Sequence, residues 1–245
     1  MKIIALYSIK GGVGKTATAT NLAYIAAREN NPTLLCDFDP QGSASYYFKV
    51  RPGKKLNSKK LIKGGNQLIN KIKASDYENL DLLPADISYR KLDIKLDKEN
   101  KSANYMNNIL KQVKNDYDYL FIDAPPNITL LSENILNTAD IVLYPFIPTT
   151  LSYITYEKLL DFMAKKSMNI KKLHPFFSMV DNRKKLHHEL VDEMSKKDLK
   201  FLKTIIPYRS NVEKMGTRRA PVVHTHPNCD SSKAFVVLWK ELKAL

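Results

Sequence analysis

Only two cysteines, Cys36 and Cys229, occur in 245 residues, and they form neither a CxxC pair nor any other metal-ligand spacing. A disulfide framework and a cysteine-held metal site are thereby disfavoured, and a reducing cytoplasm fits best. Long apolar runs are also missing. No stretch can span a bilayer, and the apolar residues ahead of Gly11 are too few for the core of a secretory signal. Negative charge is scarce: 25 Asp and Glu stand against 39 Lys and Arg, a formal net charge of +14. Solubility needs much less charge than this. The imbalance favours a polyanionic partner, either nucleic acid or an anionic membrane surface. No linker, internal repeat or low-complexity tract divides the chain. What remains is ordinary for a folded domain, 44% hydrophobic and 9% aromatic residues, which predicts little disorder outside short loops. The length suits a single α/β domain over residues 1–245 with an ample core.

Apolar runs bounded by turn residues set the order of elements. Residues 3–8 read as a short buried strand, followed at once by a glycine loop. Residues 16–28 have helical character, with Leu22, Ala23, Ile25 and Ala26 available for one packed face, and Asn30-Asn31-Pro32 stops that helix. Further strands are predicted over residues 33–38, 80–83, 119–122, 141–144, 176–180 and 204–206. Helices are predicted over residues 104–113, 151–163 and 232–242. A Lys-rich stretch, residues 49–73, reads as a surface excursion with a short helix near its end. Strands that alternate with helices argue for an α/β fold, a doubly wound and mostly parallel sheet with helices on both faces.

The central motif is Lys10-Gly11-Gly12-Val13-Gly14-Lys15-Thr16, set between a strand and a helix. Glycines let the backbone turn tightly, so that its N–H groups point inward at phosphate oxygens. The following helix adds its positive N-terminal end. In such a loop Lys15 reaches the β and γ phosphates, and the Thr16 hydroxyl ligates Mg²⁺. The strict P-loop pattern has glycine where this chain has Ile9, and Lys10 precedes the glycine pair instead.

This run resembles the deviant Walker A motif of the ParA/MinD-type ATPases. Leu34-Leu35-Cys36-Asp37-Phe38-Asp39-Pro40-Gln41-Gly42 is similar to the second motif of that family. Phe121-Ile122-Asp123-Ala124-Pro125-Pro126 is similar to its Walker B region, and Ala139-Asp140-Ile141-Val142-Leu143-Tyr144-Pro145 to the strand that follows. The four matches occur in the family's order, and Asp-Pro-Gln-Gly makes the likeness closer to ParA than to MinD. The resemblance implies an ATPase that hydrolyses ATP slowly with Mg²⁺ and forms a homodimer in its ATP state. By the same resemblance, Lys10 crosses the dimer interface to the partner's phosphates, where a cation offsets the repulsion between two bound nucleotides. Gly12 sits at that interface. Asp39 orients the attacking water, the chemistry needing an aligned nucleophile more than a strong base. Asp37, two residues earlier, holds the Mg²⁺ shell or the loop, unless one of the two only caps the next turn. Asp123 supports the metal through water. Pro125 and Pro126 stiffen a loop that responds to the γ-phosphate. The implied nucleotide contacts run from Lys10 through Ala17. Ala17 stands where the family commonly has a hydroxyl residue. For the adenine, Asn182 or Asp181 reads the polar edge and Pro207 packs on the ring.

Basic residues cluster in the last third: Lys171, Lys172, Arg183 to Lys185, Lys196, Lys197, Lys200, Lys203, Arg209, Arg218 and Arg219. In ParA-like proteins this region supplies a sequence-independent surface for double-stranded DNA, which fits phosphate contacts by Lys and Arg. The implied output is partitioning or positioning of a plasmid, a chromosome or another cargo over the nucleoid, in concert with a stimulating partner or adaptor protein. His187-His188 lacks companion ligands for a metal and reads as part of a solvated helix face. Residues 234–245 carry too few charges for a membrane-surface helix and are expected to pack on the sheet, against the MinD-like membrane alternative. A nitrogenase-iron-protein-like reductase needs paired interfacial cysteines, which Cys36 and Cys229 do not provide.

Overall fold

The computed structural model describes residues 1–53, 66–98, 105–196 and 200–245. The described residues form one sheet of eight strands: β1 (Lys2–Leu6), β2 (Thr33–Asp37), β3 (Lys73–Ala74), β4 (Leu80–Leu83), β5 (Tyr119–Asp123), β6 (Ile141–Phe146), β7 (Leu173–Val180) and β8 (Ile205–Pro207). Their spatial order is β3-β4-β2-β5-β1-β6-β7-β8. Every pairing is parallel except β3 with β4. The helices are α1 (Lys15–Arg28), α2 (Ser43–Tyr47), α3 (Asn66–Ile69), α4 (Leu92–Lys98), α5 (Tyr105–Leu110), α6 (Leu130–Thr138), α7 (Thr150–Lys165), α8 (Lys185–Lys196), α9 (Ser210–Glu213), α10 (Met215–Arg218), α11 (Val222–Thr225) and α12 (Asp230–Lys243).

Alternation along β1 divides the core. Ile3, Ala5 and Tyr7 face one cluster, and Ile4 and Leu6 face the other, as a period of two requires. Helices α4 to α8 supply the first cluster, and α1, α11 and α12 the second. Both faces are therefore covered, which is why the central strands are continuous apolar runs rather than alternating ones. The C-terminal helix buries Phe235, Leu238, Trp239 and Leu242 on the sheet, as expected for residues 234–245. Its Trp239 indole N–H and the Lys243 ammonium both donate to the Glu29 carboxylate at the end of α1, at 2.8 and 2.7 Å.

All seven predicted strands are present, with ends moved by a residue or a few. Helices α4, α9, α10 and α11 were not anticipated, nor were three further features. The two-residue antiparallel strand β3 is too short for a periodic signal. Helix α2 spans one turn after Gly42, whose φ is +68°. Helix α6 opens with a Thr129–Ser132 capping box, a Ser standing in the place where Glu or Gln usually marks the motif. Within the Lys-rich stretch, residues 54–65 lie outside the described residues. Its short helix appears as α3, Asn66–Ile69.

Candidate functional site

Three strand ends converge. The register sets Leu6 of β1 beside Asp123 of β5, and Asp123 beside Asp37 of β2. The order reverses at these strands, since β2 and β6 lie on opposite sides of β1. Ligands of open α/β sheets bind at such a switch, outside the carboxyl ends of the strands. From β1 the chain passes into the glycine loop, where Gly12 and Gly14 adopt φ of +71° and +93°. These left-handed turns aim successive backbone N–H groups into a concavity. No side chain caps α1 at Gly14, so its first-turn amides remain available to an anion. A Cβ on Gly14 would stand 3.0 Å from the Ser178 hydroxyl oxygen. That hydroxyl donates to the Val13 carbonyl at 2.9 Å and ties the loop to β7.

The charged groups are arranged around this loop. Lys15 is 6% exposed, and its ammonium arches back to donate to the Lys10 carbonyl at 3.3 Å. Burial pulls the Lys15 pKa down, while Asp123 and Asp39 pull it up. Asp123 is fully buried. Neither of its oxygens meets a donor in hydrogen-bonding geometry among the described residues. Burial first, then Asp37, raise its pKa well above the usual carboxylate range. The nearby Thr16 hydroxyl and Lys15 oppose this, and Asp39 adds to the rise. Asp37 differs in being held: one oxygen accepts from the Ser45 N–H at 2.8 Å and the Ser45 hydroxyl at 2.7 Å. Burial still pushes it up to about 6. Asp39 is partly exposed, and its carboxylate accepts from the Gln41 N–H at 2.9 Å. Asp39 thus caps a turn, Asp37 is held through one oxygen while its other oxygen is buried without a partner, and Asp123 has a partner on neither oxygen among the described residues.

An orphaned buried carboxylate next to a threonine hydroxyl suits a divalent cation. No cluster of three or more His, Cys, Asp or Glu able to hold a metal occurs among the described residues. A cation here would take its remaining ligands from water and from phosphate, the habit of Mg²⁺ rather than of Zn²⁺.

A cavity of about 360 Å³ opens over the loop. Residues 11–18 line it, including Ala17, together with Asp39 and Pro126. Its apolar walls come from Met179, Ile206, Pro207, Val212 and Phe235. Amide-lined at one part and apolar at another, it has the composition of a site for a phosphorylated base. Pro207 is part of that wall. Asn182 is exposed and does not line the cavity; its carbonyl oxygen lies 3.0 Å from His188 Nε2. The Asp181 carboxylate is gripped by Arg183 at 2.9 and 2.8 Å, which lowers its pKa. The segment 177–183 does reach the cavity, but through Ser178 and Met179. Met179 takes φ +55° where the β7–β8 register shifts, and a bulge of this kind re-aims a side chain.

Lys10 reaches α7, with its ammonium 3.4 Å from the Ser152 hydroxyl. Gly12 has no atom within 4 Å of a would-be Cβ, so in the single chain only its φ demands glycine. Several of the basic residues are engaged within the chain. The Lys172 ammonium donates to the carbonyls of Asn137 and Ala139, and Arg183, Lys185 and Arg209 pair with Asp181, Glu189 and Asp230. Lys171, Lys184, Lys196, Lys200 and Lys203 stay exposed; Lys197 lies outside the described residues. His187 is buried in α8 and accepts from the Asp181 N–H at 3.1 Å. Only His188 is on the solvated face. Sequence reasoning assigned no role to Ser152, Ser45, Met179, Tyr208 or Glu213, because nothing local ties them to the loop.

Residues 1–174 match the family model described as AAA domain. The chain is 30% identical to the sporulation initiation inhibitor protein Soj of Bacillus subtilis (strain 168), covering 99% of this chain and 98% of that protein. It is also 30% identical to the chromosome-partitioning ATPase Soj of Treponema pallidum (strain Nichols), covering 99% and 97%. Among solved structures, a Cyanothece McdA variant in complex with ATP superposes with a TM-score of 0.84 at 20% identity, over 99% of this chain and 96% of that one. A putative plasmid partition protein of Borrelia burgdorferi B31 bound to AMPPNP gives 0.80 at 25% identity, over 100% and 99%.

Proposed function

The chain belongs to the AAA-domain family of ParA-like partitioning ATPases, and from that premise we propose that it is a nucleotide switch whose ATP-bound homodimer grips double-stranded DNA without reading its sequence. Its cargo is a plasmid, a chromosome or another body moved over the nucleoid of the cytoplasm. A stimulating or adaptor protein ends each cycle. The observation that carries the reading is Asp123, a carboxylate buried without a donor beside Lys15 and Thr16, beneath a glycine loop that no side chain caps. Such a charge is costly unless a cation compensates it.

Each residue has a task in this reading. The amides of Gly11 to Thr16 and the Lys15 ammonium bind the polyphosphate. Thr16 and Asp123, with Asp39 at the edge, hold Mg²⁺, which when bound neutralises charge on the β and γ phosphates. Asp39 aligns a water against the γ-phosphate, and Pro126 limits the space around it. Lys10 leaves Ser152 to reach across the dimer. Its place beside the positive N-terminal end of α7 is a weak hold for a cation. Turnover is slow in the absence of the partner, because water positioning by one partly exposed carboxylate leaves most of the charge stabilisation to be supplied from outside.

The exposed lysines of the last third supply phosphate contacts, and doubling them in a dimer steepens the salt dependence. The test is binding to non-specific duplex DNA with ADP and with a non-hydrolysable ATP analogue across a salt series. Binding confined to the analogue and weakening steeply with salt is the expected result. Absence of binding in both states, with capture by anionic liposomes instead, would replace DNA by membrane as the surface.

A further inference from the structure

Two carboxylates line the cavity, Asp39 and Glu213, and only Glu213 has no part in holding Mg²⁺ or aligning water. Glu213, the last residue of α9, lines the same cavity as the glycine loop. A carboxylate beside a triphosphate would be repelled by several charges at close range. Its position is therefore informative about which part of the nucleotide it faces.

We infer that Glu213, held by Tyr208, is the group that reads the ribose of the bound nucleotide through its vicinal hydroxyls, an inference that rests on the nucleotide reading above. Direct contact with the phosphates is disfavoured by charge, since Glu213, unlike Asp39, has no cation or water assigned between it and them. The base is matched to the apolar walls, Met179, Ile206, Pro207 and Phe235. An adenine amino group offers its N–H next to a ring-nitrogen lone pair, which a carboxylate would meet with repulsion. The two ribose hydroxyls present two adjacent donors, the pattern that a carboxylate accepts with both oxygens. Acidic residues serve this purpose in dinucleotide folds for the same reason.

Local geometry prepares the group. The Tyr208 hydroxyl donates to one Glu213 oxygen at 2.6 Å, which fixes the carboxylate and leaves its remaining lone pairs open. Tyr208 is itself fixed, its backbone N–H donating to the Val180 carbonyl at 2.8 Å. Arg209, which also lines the cavity, is paired with Asp230 at 3.2 Å and donates to the Tyr208 carbonyl at 3.1 Å. Val212, next to Glu213, packs against the same core cluster as Ala17 in the first turn of α1. Glu213 therefore lines the cavity together with the phosphate-binding turn and the apolar wall. Tyr208 is a positioning residue in this arrangement.

The test is equilibrium binding of ATP, 2′-deoxy-ATP and GTP to wild-type protein, Glu213→Ala, Glu213→Gln and Tyr208→Phe. Charge-assisted hydrogen bonds of this type at a solvent-reachable site correspond to about a tenfold preference for ATP over 2′-deoxy-ATP. In Glu213→Ala the preference should vanish, with affinity for 2′-deoxy-ATP lowered only by loss of the remaining 3′-hydroxyl contact, while Tyr208→Phe should reduce the preference by half or more. Retained 2′-deoxy-ATP binding also shows that the variants are folded. An ATP to 2′-deoxy-ATP ratio unchanged by Glu213→Ala overturns the inference. So does a loss of discrimination against GTP alone, which would put the carboxylate at the base. Failure of the wild type to bind any nucleotide would instead sink the nucleotide reading.

Discussion

Replacing Asp123 by Asn should stabilise the nucleotide-free protein and at the same time end its response to ATP. The carboxylate is fully buried, both oxygens lack a donor among the described residues, and Asp37 adds like charge from the adjacent strand. The scale of this strain can be judged from Asp37, whose pKa is pushed from 3.8 to about 6 even with two bonds from Ser45. That difference corresponds to about 3 kcal/mol. Removing the charge at Asp123, while keeping its shape, should return about 2 kcal/mol, since Lys15 loses a counter-charge in exchange. For a chain of this length that is a rise in Tm of roughly 4–8 °C. The pH dependence has a definite sign. Both carboxyls have raised folded pKa values, so their contribution is intact below the unfolded value of 3.8 and is lost as pH rises through the folded values, about 6 for Asp37 and above the usual range for Asp123. Wild-type stability should therefore fall between about pH 4 and 6 and beyond, and the Asp123→Asn variant should show a flatter fall. Calorimetric melting across pH, with and without Mg²⁺ and an ATP analogue, measures all of this. A nucleotide-free Asp123→Asn variant that melts below wild type would refute the claim that Lys15 and Thr16 leave this carboxylate a net cost.

Four other outcomes follow from the same geometry. Gly14→Ala places a Cβ 3.0 Å from Ser178 Oγ at φ +93°; it should cost about 1–3 kcal/mol and abolish nucleotide binding, read by denaturant melting and titration. Glu29→Gln weakens the Trp239 and Lys243 latch between α1 and α12; with Glu29 partly exposed, about 1 kcal/mol of stability is expected to go. Because burial of Glu29 is outweighed by those two bonds, its folded pKa is lowered, and that contribution should fade only as pH drops below the usual carboxylate value, a trend visible in melts near pH 4. Asp39→Ala should keep ATP binding and stop turnover, whereas normal phosphate release would move water positioning to another group. Lys10→Ala should weaken ATP-dependent dimerisation in sedimentation, and dimerisation equal to wild type would remove its proposed role across the interface.

Much of this molecule is legible along the chain. The strand ends carrying Asp37 and Asp123, the loop from Lys10 to Thr16, and the packing of the last helix each announce themselves in a short window, because apolar period and glycine punctuation are local properties. Asn182 illustrates the limit. Its segment does approach the cavity, but a bulge at Met179 decides which side chain enters, and that bulge depends on pairing with β8, a strand beyond the whole of α8. His187 shows it again, being half of a histidine pair in sequence but the buried half in α8.

Residue type at fixed spacing was enough to specify the α/β order, the phosphate loop and the basic bias, since each is a property of a short window or of composition. Folding alone settled that Ser45 holds one oxygen of Asp37 while nothing holds either oxygen of Asp123, that Lys10 rests on Ser152, and that Glu213 shares a cavity with Gly14. Hydrogen bonding and desolvation act over a few ångströms of space, and residues distant along the chain become neighbours only when the sheet brings its strand ends together.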